Sequence, residues 1–94
     1  TSVNRADLLQ RQGLYPPPPG ASPLLGLECA GEVVAAGSEV SGWSPGDRAM
    51  ALLPGGGYAE LVAVDHGAAM RVPSSLTWEE AGALPEVFLT TFLN

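Results

Sequence analysis

Apolar residues along the chain fall into short runs separated by glycine and proline. The run at 24–37, LLGLECAGEVVAAG, contains two adjacent valines and is predicted to form a central strand that ends in a glycine turn. Three further runs, at 47–53, 58–64 and 69–72, have the length of strands and are bounded by turn residues. The pattern predicts a fold that is mainly β with short helices.

Two residues are unusual for a plain strand within the run at 24–37. Gly31 predicts a bulge, or a close approach of another backbone or a ligand. Glu28 stands among apolar neighbours, where a carboxylate needs a partner or must face a cleft. We expect a structural ion pair with a buried cation, either Arg11 or Arg48, rather than a general acid.

Residues 4–12 predict a short helix near the start of the chain. Asn4 is the candidate N-cap, and Asp7, three residues later, resembles the acceptor of a capping box. Gly13 is the candidate C-cap. Four consecutive prolines then enforce an extended, stiff loop, which presents Tyr15 at a fixed place.

The C-terminal part of the chain changes from strand to helix patterns. Thr77 and Glu80 have the spacing of a full capping box at a helix start, and Pro85 interrupts that helix. A second helix is predicted to begin at 86–94. We therefore expect one domain at 1–85 and the start of a helix that leads into a further domain, so that the chain is a piece of a longer protein.

Charge and composition exclude several classes of function. The chain of 94 residues has a formal net charge of −6, with four arginines and no lysine. Binding to nucleic acid or to an anionic membrane needs clustered cations. The negative net charge and the few cations of this chain therefore argue against both kinds of binding. The single cysteine, Cys29, excludes an internal disulfide and suits a reducing compartment, so we expect the cytoplasm.

Two motifs that can carry chemistry have simpler interpretations here. The glycine cluster at 55–57 lacks the lysine of a phosphate-binding loop, so a loop between two antiparallel strands is preferred. His66 follows an aspartate in a polar stretch and is interpreted as a solvated turn residue rather than a ligand or a base.

Several spaced motifs occur together in a specific order. They are N-x-x-D-x-x-x-R-x-G-x-Y from position 4, G-x-E-x-x-G-x-V-x-x-x-G-x-x-V from 26, G-D-R from 46, G-G-Y-A-E from 56, P-x-x-L-x-x-x-x-A-x-x-L-P from 73 and L-T from 89. Over essentially the whole chain this order resembles the medium-chain dehydrogenase/reductase superfamily. Within it, the chain is most similar to the zinc-free quinone oxidoreductases of the p53-inducible branch.

The resemblance implies a GroES-like partial β-barrel that lacks its N-terminal strands and is truncated before the Rossmann domain. In such enzymes the barrel holds the substrate side of the site and the Rossmann domain binds NADPH. No dinucleotide fingerprint of the Rossmann type is present in the chain. The implied activity therefore belongs to the full-length protein, expected to be a homodimer, and the piece alone is expected to be inactive.

The resemblance also bears on metal and site residues. Zinc-dependent relatives place a cysteine where Asn4 stands and a histidine where Leu27 stands, and neither residue here is a normal zinc ligand, so we expect no zinc. Asn4 and Tyr15 are the implied catalytic and cofactor-binding residues, and Thr90 is implied to approach the cofactor. Their simpler roles are a helix cap, a loop anchor and a helix-turn hydroxyl.

The expected reaction is hydride transfer from NADPH to a quinone-type acceptor, a conjugated carbonyl that needs no Lewis acid. One alternative is an enoyl reductase of the same superfamily, because VFLTTF at 87–92 also resembles polyketide-synthase enoyl-reductase modules. Another is a non-enzymatic GroES-like co-chaperonin or binding module.

Overall fold

The centre of the fold is an antiparallel sheet with the strand order β1–β2–β3. The computed structural model describes residues 1–93, and its strands are β1 Glu28–Glu32, β2 Arg48–Leu52 and β3 Ala69–Arg71. In the register, Glu28 pairs with Leu52 and Ala49 pairs with both Gly31 and Arg71. The predicted strands at 47–53 and 69–72 are confirmed.

The described residues also form three α-helices: α1 Arg5–Arg11, α2 Trp78–Ala83 and α3 Pro85–Leu93, of which α2 and α3 pack on the sheet. A 3-10 turn, His66–Ala68, precedes β3. The helices predicted at 4–12 and after Thr77 are confirmed, as is the second helix over its described part. Asn94, the last residue of that prediction, lies outside the described residues. No helix among residues 1–93 is long and apolar enough to cross a membrane.

Both predicted helix ends with strong local signals form as expected. At the start of α2, the Thr77 hydroxyl accepts from the Glu80 N–H at 3.2 Å, and the Glu80 carboxylate accepts from the Thr77 N–H at 2.9 Å. After α1, Gly13 has φ +76° and its N–H donates to the Gln10 carbonyl, a geometry that glycine adopts without steric cost.

A small apolar core lies between the sheet and α2. Its buried members are Met50, Val72 and Ala81, and the residues packed against them are Ala30, Met70, Leu76 and Leu84. Since α2 and α3 both contact β1, the C-terminal helices belong to the same packed unit as the sheet.

The run at 24–37 is not one strand, which corrects the first prediction. The ladder covers Glu28–Glu32 and closes with Val33, whose N–H donates to the Asp47 carbonyl at 2.8 Å. Val34, one residue further, is 70% exposed and has left the sheet. The apolar composition therefore extends beyond the segment that has a partner strand.

The prediction of a bulge or a close backbone at Gly31 is also wrong. Gly31 pairs in register with Ala49, and a Cβ built on it meets nothing within 4 Å. The close approaches occur instead at Gly26, Gly55 and Gly57. A Cβ at Gly26 would lie 2.5 Å from the Tyr58 nitrogen, and one at Gly57 would lie 2.6 Å from the Glu28 carbonyl oxygen.

The predicted strand at 58–64 does not form, because the loop before it docks on another segment. The N–H groups of Gly56, Gly57 and Tyr58 donate to the carbonyls of residues 24, 26 and 25 at 2.9, 3.0 and 2.9 Å. These bonds turn the chain across the end of β1 rather than along a strand edge. Residues 58–65 then run in irregular conformation to the 3-10 turn.

Candidate functional site

A shallow groove of about 270 Å³ lies between the start of α1 and one side of α3. Asn4 and Arg5 form one wall, and Glu86, Thr90 and Thr91 form the other. Asn4 is half-buried, whereas Arg5 and Thr90 are exposed. The groove brings together two of the three site residues that the sequence resemblance implies, although they stand at opposite ends of the chain.

Tyr15, the third implied site residue, does not line this groove. It lies in the loop after α1, next to the proline run, and its side chain is 46% exposed. The loop holds it near the end of α1 that is opposite to Asn4. The described structure therefore places Tyr15 apart from the other two residues.

Beneath the groove lies the carboxyl group of Glu28, which is fully buried at 0% exposure. Its Oε1 accepts from Asn4 Nδ2 at 3.0 Å and from the Ser2 hydroxyl, and its Oε2 accepts from the Glu86 backbone N–H at 2.8 Å. Three donors around one buried carboxylate offset much of the cost of removing it from water.

The expected ion pair of Glu28 with Arg11 or Arg48 is wrong. Its partners are neutral donors, and Arg48 serves another contact. The Arg48 guanidinium donates to the Leu76 carbonyl at 2.9 Å and lies 4.4 Å from the centre of the Trp78 ring. A cation over an aromatic face is attracted by the ring quadrupole, so Arg48 fastens β2 to the start of α2.

A second buried carboxyl group, that of Asp7, supports the start of α1. It is 2% exposed, and its Oδ2 accepts from the Asn4 backbone N–H and from the Tyr58 hydroxyl, each at 2.9 Å. The first of these bonds belongs to the predicted capping box at Asn4, which is confirmed. Burial, and then the hydrogen bond to Asp7, raise the pKa of Tyr58, so its hydroxyl stays protonated and donating.

Among the residues that line the groove, Glu86 has a pKa that its surroundings shift. Burial raises its pKa above the ordinary value of 4.5, and the negative charges of Glu28 and Asp7 raise it further. Ionisation of Glu86 is therefore disfavoured in a groove that already lies above another carboxyl group.

Substituting Glu86→Gln should raise the melting temperature at neutral pH. Because the folded-state pKa is raised, ionisation of Glu86 opposes folding at every pH above it, and this cost disappears below the ordinary value, where both states are protonated. The gain should stay below about 1 kcal/mol, as for other partly exposed charges. Thermal unfolding of both proteins from pH 7 to pH 3.5 should show two curves that converge at acid pH.

Glu79→Gln is the matched control, because this exposed residue has the same place in the first turn of the preceding helix. Its substitution removes a charge that favours a helix start and should slightly lower stability at neutral pH. A Glu86→Gln protein that is less stable than the native protein at pH 7 would contradict the assignment.

A larger cleft of about 460 Å³ lies beside β1 and β2. It is lined mainly by small and apolar residues, among them Cys29, Gly31 and Trp43, and it also contains His66. Burial is the main cause that raises the pKa of Cys29, which keeps the thiol protonated and unreactive. The larger cleft also contains Glu32 and Glu60, but none of the three implied site residues lines it.

Two further observations concern metals and the histidine. Within residues 1–93, no three His, Cys, Asp or Glu side chains lie together as a metal site. His66 opens the 3-10 turn with its Nδ1 3.5 Å from Asp65 Oδ1, and both side chains are well exposed. The interpretation of His66 as a solvated turn residue is confirmed.

Sequence reasoning missed the partners of Glu28 and the Tyr58 partner of Asp7, whereas the bond of Asp7 to the Asn4 N–H was predicted as part of the capping box. Glu28 was identified as anomalous by its apolar neighbours, but Ser2 and the Glu86 N–H carry no sequence signal that connects them to it. Asp7 and Tyr58 are 51 residues apart in the chain. Only the crossing of the loop at 55–58 over the end of β1 brings them within hydrogen-bond distance.

One protein family and several known proteins are similar to this chain. The family described as alcohol dehydrogenase GroES-like domain matches residues 1–74. The synaptic vesicle membrane protein VAT-1 homolog of Danio rerio is 36% identical over 91 residues, which cover 97% of this chain and 19% of that protein. The pikromycin polyketide synthase component PikAII of Streptomyces venezuelae is 41% identical over 90 residues, covering 96% of this chain and 2% of that protein.

Among solved structures, the human synaptic vesicle membrane protein VAT-1 homolog-like protein superposes with a TM-score of 0.85 at 34% identity. The match covers 97% of this chain and 29% of that one. The predicted GroES-like fold is therefore confirmed by a solved relative. The chain spans about a fifth of the Danio rerio protein and less than a third of the human one.

Proposed function

The chain belongs to the alcohol dehydrogenase GroES-like domain family of the medium-chain dehydrogenase/reductase superfamily, and on that premise we propose the activity of its full-length protein. It transfers a hydride from NADPH to a quinone-type acceptor without zinc. This chain is the substrate-side domain, residues 1–85, followed by the start of a helix that leads to a nucleotide-binding domain. The observation that carries the proposal is the groove in which α3 brings Thr90 to Asn4.

The size and polar groups of the groove support binding of one end of a dinucleotide. Its volume of about 270 Å³ is just below the range of roughly 300–1,000 Å³ for pockets that enclose a drug-sized ligand. It therefore takes a single ring and its amide rather than the whole cofactor. The amide of Asn4, the hydroxyl of Thr90 and the guanidinium of Arg5 supply polar contacts along it.

NADPH, when bound, supplies the hydride, and the quinone takes up that hydride and a proton to become a hydroquinone. The residues of this chain orient and shield the reacting groups, which is the usual contribution of the protein to cofactor chemistry. Asn4 and Thr90 would hold the nicotinamide at the groove, and Tyr15 would contact the planar acceptor from the loop that follows α1. The full-length protein acts as a homodimer in the cytoplasm, with no nucleic acid or membrane as partner.

Zinc independence is proposed from the types of residue at two positions. Asn4 and Leu27 stand where zinc-dependent relatives have a cysteine and a histidine, and an amide and an aliphatic side chain are poor ligands for zinc. In the fold, Asn4 Nδ2 donates to Glu28, and Leu27 is buried at 8% exposure. Neither a donating amide nitrogen nor a buried aliphatic side chain is a normal ligand for zinc.

An enoyl reductase is the second candidate, and the 41% identity to a polyketide synthase component favours it. The two candidates share the cofactor and differ in the acceptor. Full-length protein should oxidise NADPH when a benzoquinone or naphthoquinone is added, as followed by the loss of NADPH absorbance. Turnover of an enoyl thioester without turnover of any quinone would replace the first candidate by the second, and a heptameric assembly without any turnover would favour a co-chaperonin.

Tyr15→Ala should lower kcat/KM for the quinone by about 3- to 10-fold, since stacking of aromatic rings contributes about 0.5–1.5 kcal/mol. The melting temperature should change little, because Tyr15 is 46% exposed. Steady-state kinetics of the full-length protein measure the first effect and thermal unfolding the second. Leu14→Ala, an adjacent exposed substitution in the same loop, is the control. Equal kinetics in all three proteins would show that Tyr15 only anchors its loop.

A further inference from the structure

The carboxyl group of Glu28 is connected to both walls of the groove although it is buried beneath them. Oε1 accepts from Asn4 on the α1 side, and Oε2 accepts from the Glu86 N–H on the α3 side. The two oxygens thus connect segments that are far apart in the sequence. Ser2 adds a third donor to Oε1 and ties the N-terminal segment to the same group.

The bond to Glu86 replaces a missing helix cap. In an α-helix the first N–H groups have no partner inside the helix, and a side chain at the residue before it normally accepts one of them. The residue before α3 is Leu84, whose side chain has no acceptor. Pro85, the first helical residue, has no N–H, so the Glu86 N–H is the first donor of the helix and receives its acceptor from β1.

We propose that Glu28 is the positioning residue of the groove: its two carboxylate oxygens orient the Asn4 amide and hold the start of α3, and so set where Asn4 and Thr90 stand relative to the nicotinamide. This assignment rests on the proposed function for its effect on catalysis. The bridge between the two walls does not depend on it. Glu28 acts through Asn4 and α3 and does not itself line the groove.

Glu28→Gln is the sharpest variant, because it keeps the shape and changes one acceptor oxygen into an NH2 donor. A carboxylate offers acceptors at both ends, whereas an amide offers a donor at one. In this variant the new NH2 group therefore faces either the Asn4 amide NH2 or the Glu86 N–H, both of which are donors. Glu32→Gln is the matched control, since Glu32 ends the same strand with an exposed side chain.

The bridge is tested by amide hydrogen exchange of the full-length protein, read on the peptide that covers the start of α3. Glu28→Gln should speed exchange at the Glu86 N–H by about tenfold or more, and Glu32→Gln should leave it unchanged. Glu28→Asp provides a second, still charged variant whose side chain is one methylene too short to reach both walls, and it should also speed exchange. Unchanged exchange at α3 in both Glu28 variants overturns the proposal.

The effect on catalysis is tested by a double-mutant cycle between Glu28→Gln and Asn4→Ala. Glu28→Gln alone should lower kcat/KM about tenfold, and in the Asn4→Ala background its effect should shrink to about threefold, because the part that acts through Asn4 is lost while the part that acts through α3 remains. Losses that simply multiply would show a general structural effect and overturn the proposal.

The two arms separate failure of this proposal from failure of the proposed function. If native protein reduces neither quinones nor enoyl thioesters with NADPH, the proposed function is wrong. The exchange experiment then decides the role of Glu28 by itself. If native protein is active but exchange at α3 does not respond to the Glu28 variants, only the positioning role is wrong.

Discussion

Replacing Gly26 by alanine should lower the free energy of unfolding by about 3–5 kcal/mol. The new Cβ would lie 2.5 Å from the Tyr58 nitrogen and 2.6 Å from the Gly57 Cα, and both are backbone atoms that cannot rotate away. Gly26 also has φ +110°, a conformation that side chains with a Cβ rarely adopt. Backbone strain of about 1–3 kcal/mol and overpacking of about 1–3 kcal/mol act together here.

Urea denaturation followed by circular dichroism measures this effect, with two other glycines as controls. Gly42 has φ +86° but open space around its Cβ position, so Gly42→Ala carries the strain alone, about 1–2 kcal/mol. Gly31 has neither constraint and should tolerate alanine nearly without loss. If Gly26→Ala and Gly42→Ala cost the same, the close approach at Gly26 does not contribute.

Tyr58→Phe should lower the free energy of unfolding by about 2 kcal/mol, which is large for the loss of one oxygen atom. The hydroxyl donates to the buried Asp7 carboxylate at 2.9 Å, and the other oxygen of that carboxylate is buried without a hydrogen bond among the described residues. Hydrogen bonds to charged groups contribute about 1.5–3 kcal/mol, and phenylalanine cannot replace this one.

Denaturation of Tyr58→Phe beside Tyr15→Phe isolates the buried contact from the chemistry of the substitution. Tyr15 is exposed in the proline loop, so removal of its hydroxyl should change stability by less than about 0.5 kcal/mol. The double variant Tyr58→Phe, Asp7→Asn should recover part of the loss, because a neutral amide is less costly to bury than a carboxylate that keeps only the Asn4 N–H as a donor. Equal effects of Tyr58→Phe and Tyr15→Phe would contradict the role of the Asp7 contact.

Features with a local cause were predictable from residue types. The capping box of Thr77 and Glu80, the glycine after α1 and the start of α3 at Pro85 depend on residues within one helical turn, so a single segment contains the whole signal. The strands β2 and β3 were also predicted, since each apolar run is bounded on both sides by turn residues.

Features that depend on a partner elsewhere in the chain were not predictable in this way. Residues 58–64 have a pattern that suits a strand, but a strand needs a neighbouring strand edge to pair with. The N–H groups of the loop at 55–58 donate instead to the carbonyls of residues 24–26. The run at 24–37 is apolar over its whole length, yet the partner strand β2 covers only part of it. The apolar composition of a run shows that its residues can be buried, but it does not show where the partner strand ends.

The candidate site divides along the same line. The types of residue at positions 4, 15 and 90, together with the resemblance, predict a zinc-free reductase site, which stays a prediction, whereas family membership through the GroES-like domain is shown. That Asn4 and Thr90 share a groove while Tyr15 stands apart is visible only in the fold. Side chains with the same implied role are thus separated by their place on α1, α3 and the proline loop.

The sequence by itself determined the turns, the helix caps, the two clear strands and the presence of a carboxylate at position 28 in an apolar run. The tertiary structure alone decided which donors surround that carboxylate. A carboxylate in an apolar environment needs hydrogen-bond donors, but Ser2, Asn4 and the start of α3 can supply them only after the fold has brought both ends of the chain to β1. The local sequence pattern indicates that Glu28 needs hydrogen-bond donors, and the long-range packing of the chain determines which residues provide them.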